Sequence, residues 1–232
     1  DVPARGAMAA ALPDGQVLQL VQADTTFAAL VERLSEPGGY FDTDNLISNE
    51  SSYLHVMGSL REIGVRGGAY IGVGPDQNFS YIAQVRPSIA FIIDIRRDNL
   101  LEHLFFKALF HLSETRIEYL SLMMGRKAPD NPGEWIRSSI SELVQYVEAA
   151  PVESSTAASA RRRVRESIFT FGVPLEERDL EMIDFMHTSF IEAGVRLRFS
   201  SHNRVPNYYY PTYEALLLET DLAGRQSNYL AD

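Results

Sequence analysis

The chain has 232 residues, 45% of them hydrophobic and 22% charged, which is enough to bury one large domain with helical additions. Its 31 acidic against 21 basic residues give a formal net charge of −10, which disfavours a nucleic-acid partner and leaves a small molecule as the expected one. Cysteine is absent, so disulfides, thiolate nucleophiles and Cys-ligated metals are excluded, and no apolar run approaches the ~18 residues of a membrane span.

Residues 1–23 read as a loose N-terminal segment. The composition is that of a soluble chain. The cytoplasm is slightly favoured, and export stays open because the sequence starts at Asp1 and is Ala-rich from Ala4 to Pro13, as after removal of a targeting segment. Residues 24–66 predict two helices and a lid loop. Asp24, Thr25 and Thr26 offer caps to an amphipathic helix carrying Phe27, Leu30, Val31 and Leu34, which Pro37-Gly38-Gly39 ends. The polar stretch FDTDNLISNE (Phe41–Glu50) then caps a second helix with Tyr53, Val56, Met57, Leu60 and Ile63 on one face, closed by Gly64.

Residues 67–125 carry the strongest pattern: strand, turn, helix, strand, helix. Ala69–Val73 is the first strand, Gly72-Val73-Gly74-Pro75 the turn and Asp76–Val85 a helix that Pro87 forbids from continuing. Ile89–Ile95 is an apolar, β-branched run of the kind expected for a parallel strand covered on both faces. Asp98 caps a third helix, apolar on more than one side, that runs to Gly125 with a break near Ser113. Residues 126–194 read as a helical insertion, with helices near Trp135–Ala149 and Leu175–Ala193 separated by a mobile Ala/Ser-rich linker over Pro151–Ala160. Residues 195–232 return to the core through a strand at Val195–Phe199 and a helix at Pro211–Thr220. The expected class is α/β, a Rossmann-like parallel sheet. Such a sheet needs about five strands, and only two or three are visible, so it is expected to be incomplete here and to continue beyond the chain end.

A strand that ends in Gly-x-Gly and opens a helix presents unpaired N–H groups and the positive end of a helix dipole to a ligand. Gly72, Val73, Gly74 and Pro75 are the expected backbone contacts, with Asp76, Gln77 and Asn78 presenting side chains from the first helical turn. Asp94 stands twenty residues beyond Gly74 at the end of the second strand, where a carboxylate accepts ribose hydroxyls, and Ile95 and Arg96 flank it. The plainer alternative is a tight turn at the glycines and helix capping by Asp94 and Asp98. The third position of the dinucleotide fingerprint holds Gln77 instead of a small residue, which disfavours NAD. Arg96 and Arg97 keep NADP open through its 2′-phosphate. Asp44, Asn45, Ser48, Asn49 and Glu50, with Tyr53 behind them, form a second polar constellation, read as a substrate contact or lid with part of it committed to turns and capping.

The segments FDTDNLISNE, GGAYIGVGPDQNFSYIAQVRPSIAFIIDIRRDNLLEHLFFKALF and YPTYEALLLETDLAGRQ resemble an uncharacterised bacterial methyltransferase-like family, whose Rossmann core is similar to that of class I S-adenosylmethionine-dependent methyltransferases. The resemblance implies S-adenosylmethionine as cofactor, Gly72 and Gly74 beneath its methionine part, Asp94 on its ribose, and further strands past Asp232. The class I pattern also has an acid two residues before the first glycine and a third glycine, and here Tyr70 and Asp76 stand in those places. The functional expectation is therefore methyl transfer to a small molecule. An NADP-dependent oxidoreductase and a non-catalytic nucleotide-binding Rossmann protein are the alternatives. His103 and His111 read as core or edge histidines without a metal, Arg161, Arg162, Arg163 and Arg165 as a solvated helix face, and Tyr208, Tyr209 and Tyr210 as packing or a pocket wall.

Overall fold

In the computed structural model, which describes residues 26–200 and 210–231, the strand–helix–strand unit is the organising feature. Ahead of it, α1 (Phe27–Leu34) starts at Thr26, whose hydroxyl accepts the Ala29 amide, and α2 (Met57–Ile63) closes at Gly64 in a left-handed conformation. The other expected caps of α1, Asp24 and Thr25, lie outside the described residues. The second helix starts later than its apolar spacing suggests, because Ser52–Val56 form turns.

β1 (Ala69–Val73) and β2 (Ile89–Ile93) pair in parallel, with Ala69 opposite Ile89 and Val73 opposite Ile93. Between them runs α3 (Gln77–Val85), ended by Arg86 in a left-handed conformation ahead of Pro87. The start of the pair is laced by the Gly67 amide to Val85 O at 3.0 Å and the Ser88 amide to Gly68 O at 2.8 Å. The expectation of a strand covered on both faces is not met. Tyr70 and Gly72 face α3, whereas Ile71, Val73, Ile93 and Ile95 on the opposite face are 67, 61, 55 and 62% exposed. Apolar character was read correctly as strand, but helices of the described chain cover only one side.

The rest is helical: α4 (Arg97–Leu112), α5 (Arg116–Met123), a 3₁₀ turn over Pro132–Arg137, α6 (Ile140–Ala149), α7 (Ser154–Thr170), α8 (Glu177–Ala193), a short 3₁₀ turn over Gly194–Arg196 and α9 (Tyr213–Leu218). The break near Ser113 is real, and Thr115 and Glu118 form a capping box that restarts the chain as α5. Two expectations are corrected. The Ala/Ser-rich stretch is no linker: Ala157, Ala160, Val164 and Ile168 recur at helical spacing and are buried as one stripe of α7, which packs on α4. Small residues there allow close helix approach. The strand at Val195–Phe199 is instead a 3₁₀ turn followed by an isolated antiparallel bridge between Arg198 and Thr212.

The core sits among α4 to α9. Phe105, Phe106 and Phe190 are fully buried, with Phe105 stacked on Phe190 at 5.7 Å, and each ring contributes about 1.5–3 kcal/mol of burial. One buried cluster extends from Leu46 to Leu230, so the segments read as lid, core, insertion and return share a single interior.

Candidate functional site

Because Val73 lies opposite Ile93, the bend after β1 and the residues after β2 emerge side by side at the C-terminal edge of the sheet. Arg96 organises this edge. Its Nε and Nη2 each donate to the Asp94 carboxylate at 3.1 Å, its amide donates to Asp94 Oδ1 at 2.8 Å, and Nη1 donates to Thr43 O at 3.2 Å and Asp44 O at 3.0 Å. Both side chains of the pair are at least nine-tenths buried. Arg96 therefore clamps the Thr43–Asp44 segment onto the strand ends.

The rest of the polar constellation divides. Asp44 also pairs with Ser200, whose amide donates to Asp44 Oδ1 at 3.0 Å, and Asn45 sits at φ 51° and accepts the Thr43 hydroxyl at 3.0 Å. Ser48 accepts the Glu50 amide at 3.0 Å, and the Glu50 carboxylate takes the hydroxyl and amide of Ser52, which hold its pKa down. Asn49 and Glu50 are exposed. Tyr53 is a core residue whose hydroxyl donates to Leu216 O at 2.9 Å, and burial raises its pKa far above the ordinary tyrosine value.

Inside the bend, Asn78 is a structural bolt. Its Nδ2 donates to the carbonyls of Val73, Gly74 and Pro75 at 3.0, 3.2 and 2.8 Å, and its Oδ1 accepts the Tyr70 hydroxyl at 2.7 Å. Gly72 is required here: an added Cβ would overlap Asn78 Oδ1 and lie 2.6 Å from the Tyr70 ring. Gly72 thus serves helix–strand packing, whereas Gly74, at φ 87°, is buried with its carbonyl engaged by Asn78 and His103, and only Gln77 Nε2, at 3.4 Å, lies near its Cβ position.

Asp76 turns inward, accepting the Tyr213 hydroxyl at 2.9 Å and that of Tyr229 at 3.3 Å. Burial lifts its pKa from 3.8 to about 6, opposed by those hydroxyls and by the amides of Asp76 and Gln77. A protein carboxylate thus lies against the start of α3.

The face of α4 that meets the bend carries Asn99, Glu102 and His103. His103 Nε2 lies 2.9 Å from Gly74 O, and burial lowers the pKa of the imidazole. Glu102 is 1% exposed; burial and then repulsion by Asp76 raise its pKa well above the ordinary value, against the attraction of Arg96. Gln77 Oε1, Asn99 Nδ2 and Glu102 Oε1 are buried polar atoms without a hydrogen-bond partner. Such atoms are costly to leave unpaired, and their presence makes this bend the candidate site. Sequence reasoning missed Asn99 and Glu102. The usable signal was an acid interrupting the apolar face of LLEHLFFKALF. Nothing in the sequence singled out Tyr229.

A cleft of about 280 Å³ adjoins this edge, lined by Gly38, Gly39, Arg96, Arg97 and Asp179 among others. Arg97 is committed to Asp179, at 2.8 and 2.6 Å, and to Pro174 O at 3.0 Å. Among the remaining residues singled out above, Arg161 bonds Thr188 and Arg165 bonds Asp184 on the outer face of α7, as a solvated row. Tyr210 packs edge-on against Phe199 at 4.9 Å, while Tyr208 and Tyr209 lie outside the described residues. Among the described residues no group of three His, Asp or Glu side chains is placed to hold a metal, and no helix is long and apolar enough to cross a membrane.

No curated protein and no solved structure matches the chain. A family model described as a domain of unknown function, DUF7790, matches residues 45–174, which hold α2 to α7 with β1 and β2, and as this is more than half of the 232 residues the chain belongs to that family.

Proposed function

We propose that this chain is a Rossmann-like domain that binds S-adenosylmethionine across the ends of β1 and β2 and serves methyl transfer to a small molecule. The observation that carries the reading is the coincidence, at one bend, of a glycine turn at positive φ with three unpartnered buried polar atoms, on Gln77, Asn99 and Glu102. Asp94, held in place by Arg96, retains lone pairs for ribose hydroxyls, and exposed Val73 and Ile95 offer apolar surface to a purine. When bound, S-adenosylmethionine supplies an activated methyl group, and the chain's task is to fix its position relative to an acceptor.

Asp76 favours this cofactor over phosphate-bearing ones. In dinucleotide sites the helix start faces a pyrophosphate, but here a carboxylate already lies against the amides of Asp76 and Gln77 and repels a second anion. NADP also loses its grip, since Arg96 is spent on Asp94, Thr43 and Asp44, and Arg97 on Asp179.

Calorimetric titration of the whole chain with S-adenosylmethionine, S-adenosylhomocysteine, NADPH and ATP tests this. The first two bind and the others do not, and Val73→Glu, at an exposed position, weakens binding at least tenfold while leaving urea unfolding unchanged. Silence with both sulfur compounds, or tighter binding of NADPH, defeats the proposal.

A further inference from the structure

At the far end of α4, about 24 Å from Arg97 along a helix of 16 residues, a separate cleft of about 390 Å³ opens between α5 and the start of α7. Its chemistry is cationic and hydroxylic in a chain of net charge −10. Arg126, Lys127 and Arg163 line it, and α7, 17 residues long, enters it with Ser155, Thr156 and Ser159 and with no side chain capping its first amides. Those amides carry the positive end of the helix dipole.

The independent observation is a set of unfilled donors in the wall. Ser121 is 1% exposed, and its Oγ has no partner; the same holds for Ser113 Oγ and for Arg126 Nε, both buried atoms of residues lining the cleft. Arg126 uses its Nη1 on the carbonyls of Met124 and Ile191, which fixes the guanidinium in place, and burial lowers its pKa. The one acid in the wall, Glu118, is occupied by the capping box of α5, its Oε2 taking the Thr115 amide and hydroxyl and the Glu114 amide. Lys127 is shared with Asp130 across an exposed bridge, and Arg163 forms no ion pair among the described residues.

Convergent donors, cations and the uncapped first amides of α7 call for a tetrahedral oxyanion with several acceptors. We infer that this cleft binds a phosphoryl group, either inorganic phosphate or the phosphate of a small phosphomonoester. The contrast with the strand-end site is one of charge: there Asp76 and Glu102 are buried acids, and here Arg126, Lys127 and Arg163 outnumber Glu118 among the lining residues, while the N-cap residue Glu153 takes the Thr156 hydroxyl.

The test is titration of the whole chain with inorganic phosphate and with glycerol 3-phosphate, followed by ³¹P line broadening and calorimetry, with sodium chloride at equal ionic strength as control. Both Arg163→Glu, on the exposed face of α7, and Ser121→Ala, which deletes one unfilled hydroxyl, weaken binding, the first by about tenfold or more. Circular dichroism and urea midpoints of these variants match the parent. Tighter binding of the ester assigns the cleft to a phosphorylated small molecule, and equal binding assigns it to free phosphate. Absence of binding by both, or affinities that neither substitution changes, overturns the inference, whatever the outcome with S-adenosylmethionine.

Discussion

Replacing Asp76 by Asn should remove a defined pH dependence from the stability of this protein. The side chain is buried beside Tyr213 and Tyr229, and its carboxyl titrates at about 6 against 3.8 when unfolded, burial outweighing the hydroxyl and amide donors. An acid whose folded value is raised holds its proton more tightly in the native state. Its contribution is therefore complete below 3.8 and is lost as pH rises through about 6. The interval corresponds to about 3 kcal/mol at roughly 1.36 kcal/mol per tenfold in proton affinity. Urea unfolding, followed by the fluorescence of the single tryptophan, Trp135, from pH 4 to pH 8 gives the stability of parent and variant at each pH. The parent-minus-variant difference should fall by roughly 2 kcal/mol between pH 4 and pH 7, the first part of the change lying below pH 4, and then level off. Glu102 is raised in the same direction partly by repulsion from Asp76, so the substitution lowers its value as well and adds to the difference in the same sense. A flat difference, or one that grows with pH, would refute the burial of a carboxylate at the start of α3.

The remaining expectations concern the same frame. Arg96→Ala strands the buried Asp94 carboxylate and frees the carbonyls of Thr43 and Asp44, so it should cost about 3 kcal/mol in urea unfolding and hasten proteolysis near residues 43–50. Lysine in its place should rescue little, since it cannot reproduce the forked contacts. Gly72→Ala forces its Cβ onto Asn78 and should cost about 1–3 kcal/mol, whereas Gly133→Ala, with nothing within 4 Å, should stay within about 0.5 kcal/mol. His187 is buried with its pKa lowered from 6.5 to about 4, chiefly by desolvation, so the unfolded chain takes up the proton first. Stability should fall by about 3 kcal/mol as pH drops from about 6.5 to about 4, and His187→Gln should lose that slope in the same unfolding series.

The unit from Ala69 to Ile93 was legible because it uses short-range rules: an apolar run, a Gly-x-Gly turn, a helix stopped by proline, then a second β-branched run. The register that places Val73 beside Ile93 follows from that topology. The helix α7 was misread because Ala and Ser were weighed as composition, while the period of Ala157, Ala160, Val164 and Ile168 was the informative feature. Gly74, Asp94 and Arg96 were singled out from spacing, but the partners that hold them were not. That Arg96 reaches back 52 residues to the Asp44 carbonyl, or that Tyr213 and Tyr229 close over Asp76 from more than 130 residues away, depends on tertiary packing that local patterns do not encode. Gly72 and Asn78 were assigned to a ligand because Gly-x-Gly turns often face one. Here the absent Cβ makes room for the Asn78 amide, a use of glycine that the sequence does not distinguish.

Adding S-adenosylhomocysteine to the isotopically labelled chain and following the backbone amide signals tests the strand-end site most directly. Shifts should concentrate at Val73, Gly74, Asp76 and Gln77 and at Asp94, Ile95 and Arg96, the two groups that β1 and β2 bring to one edge. An unchanged spectrum, or shifts confined to residues remote from that edge, would contradict the assignment.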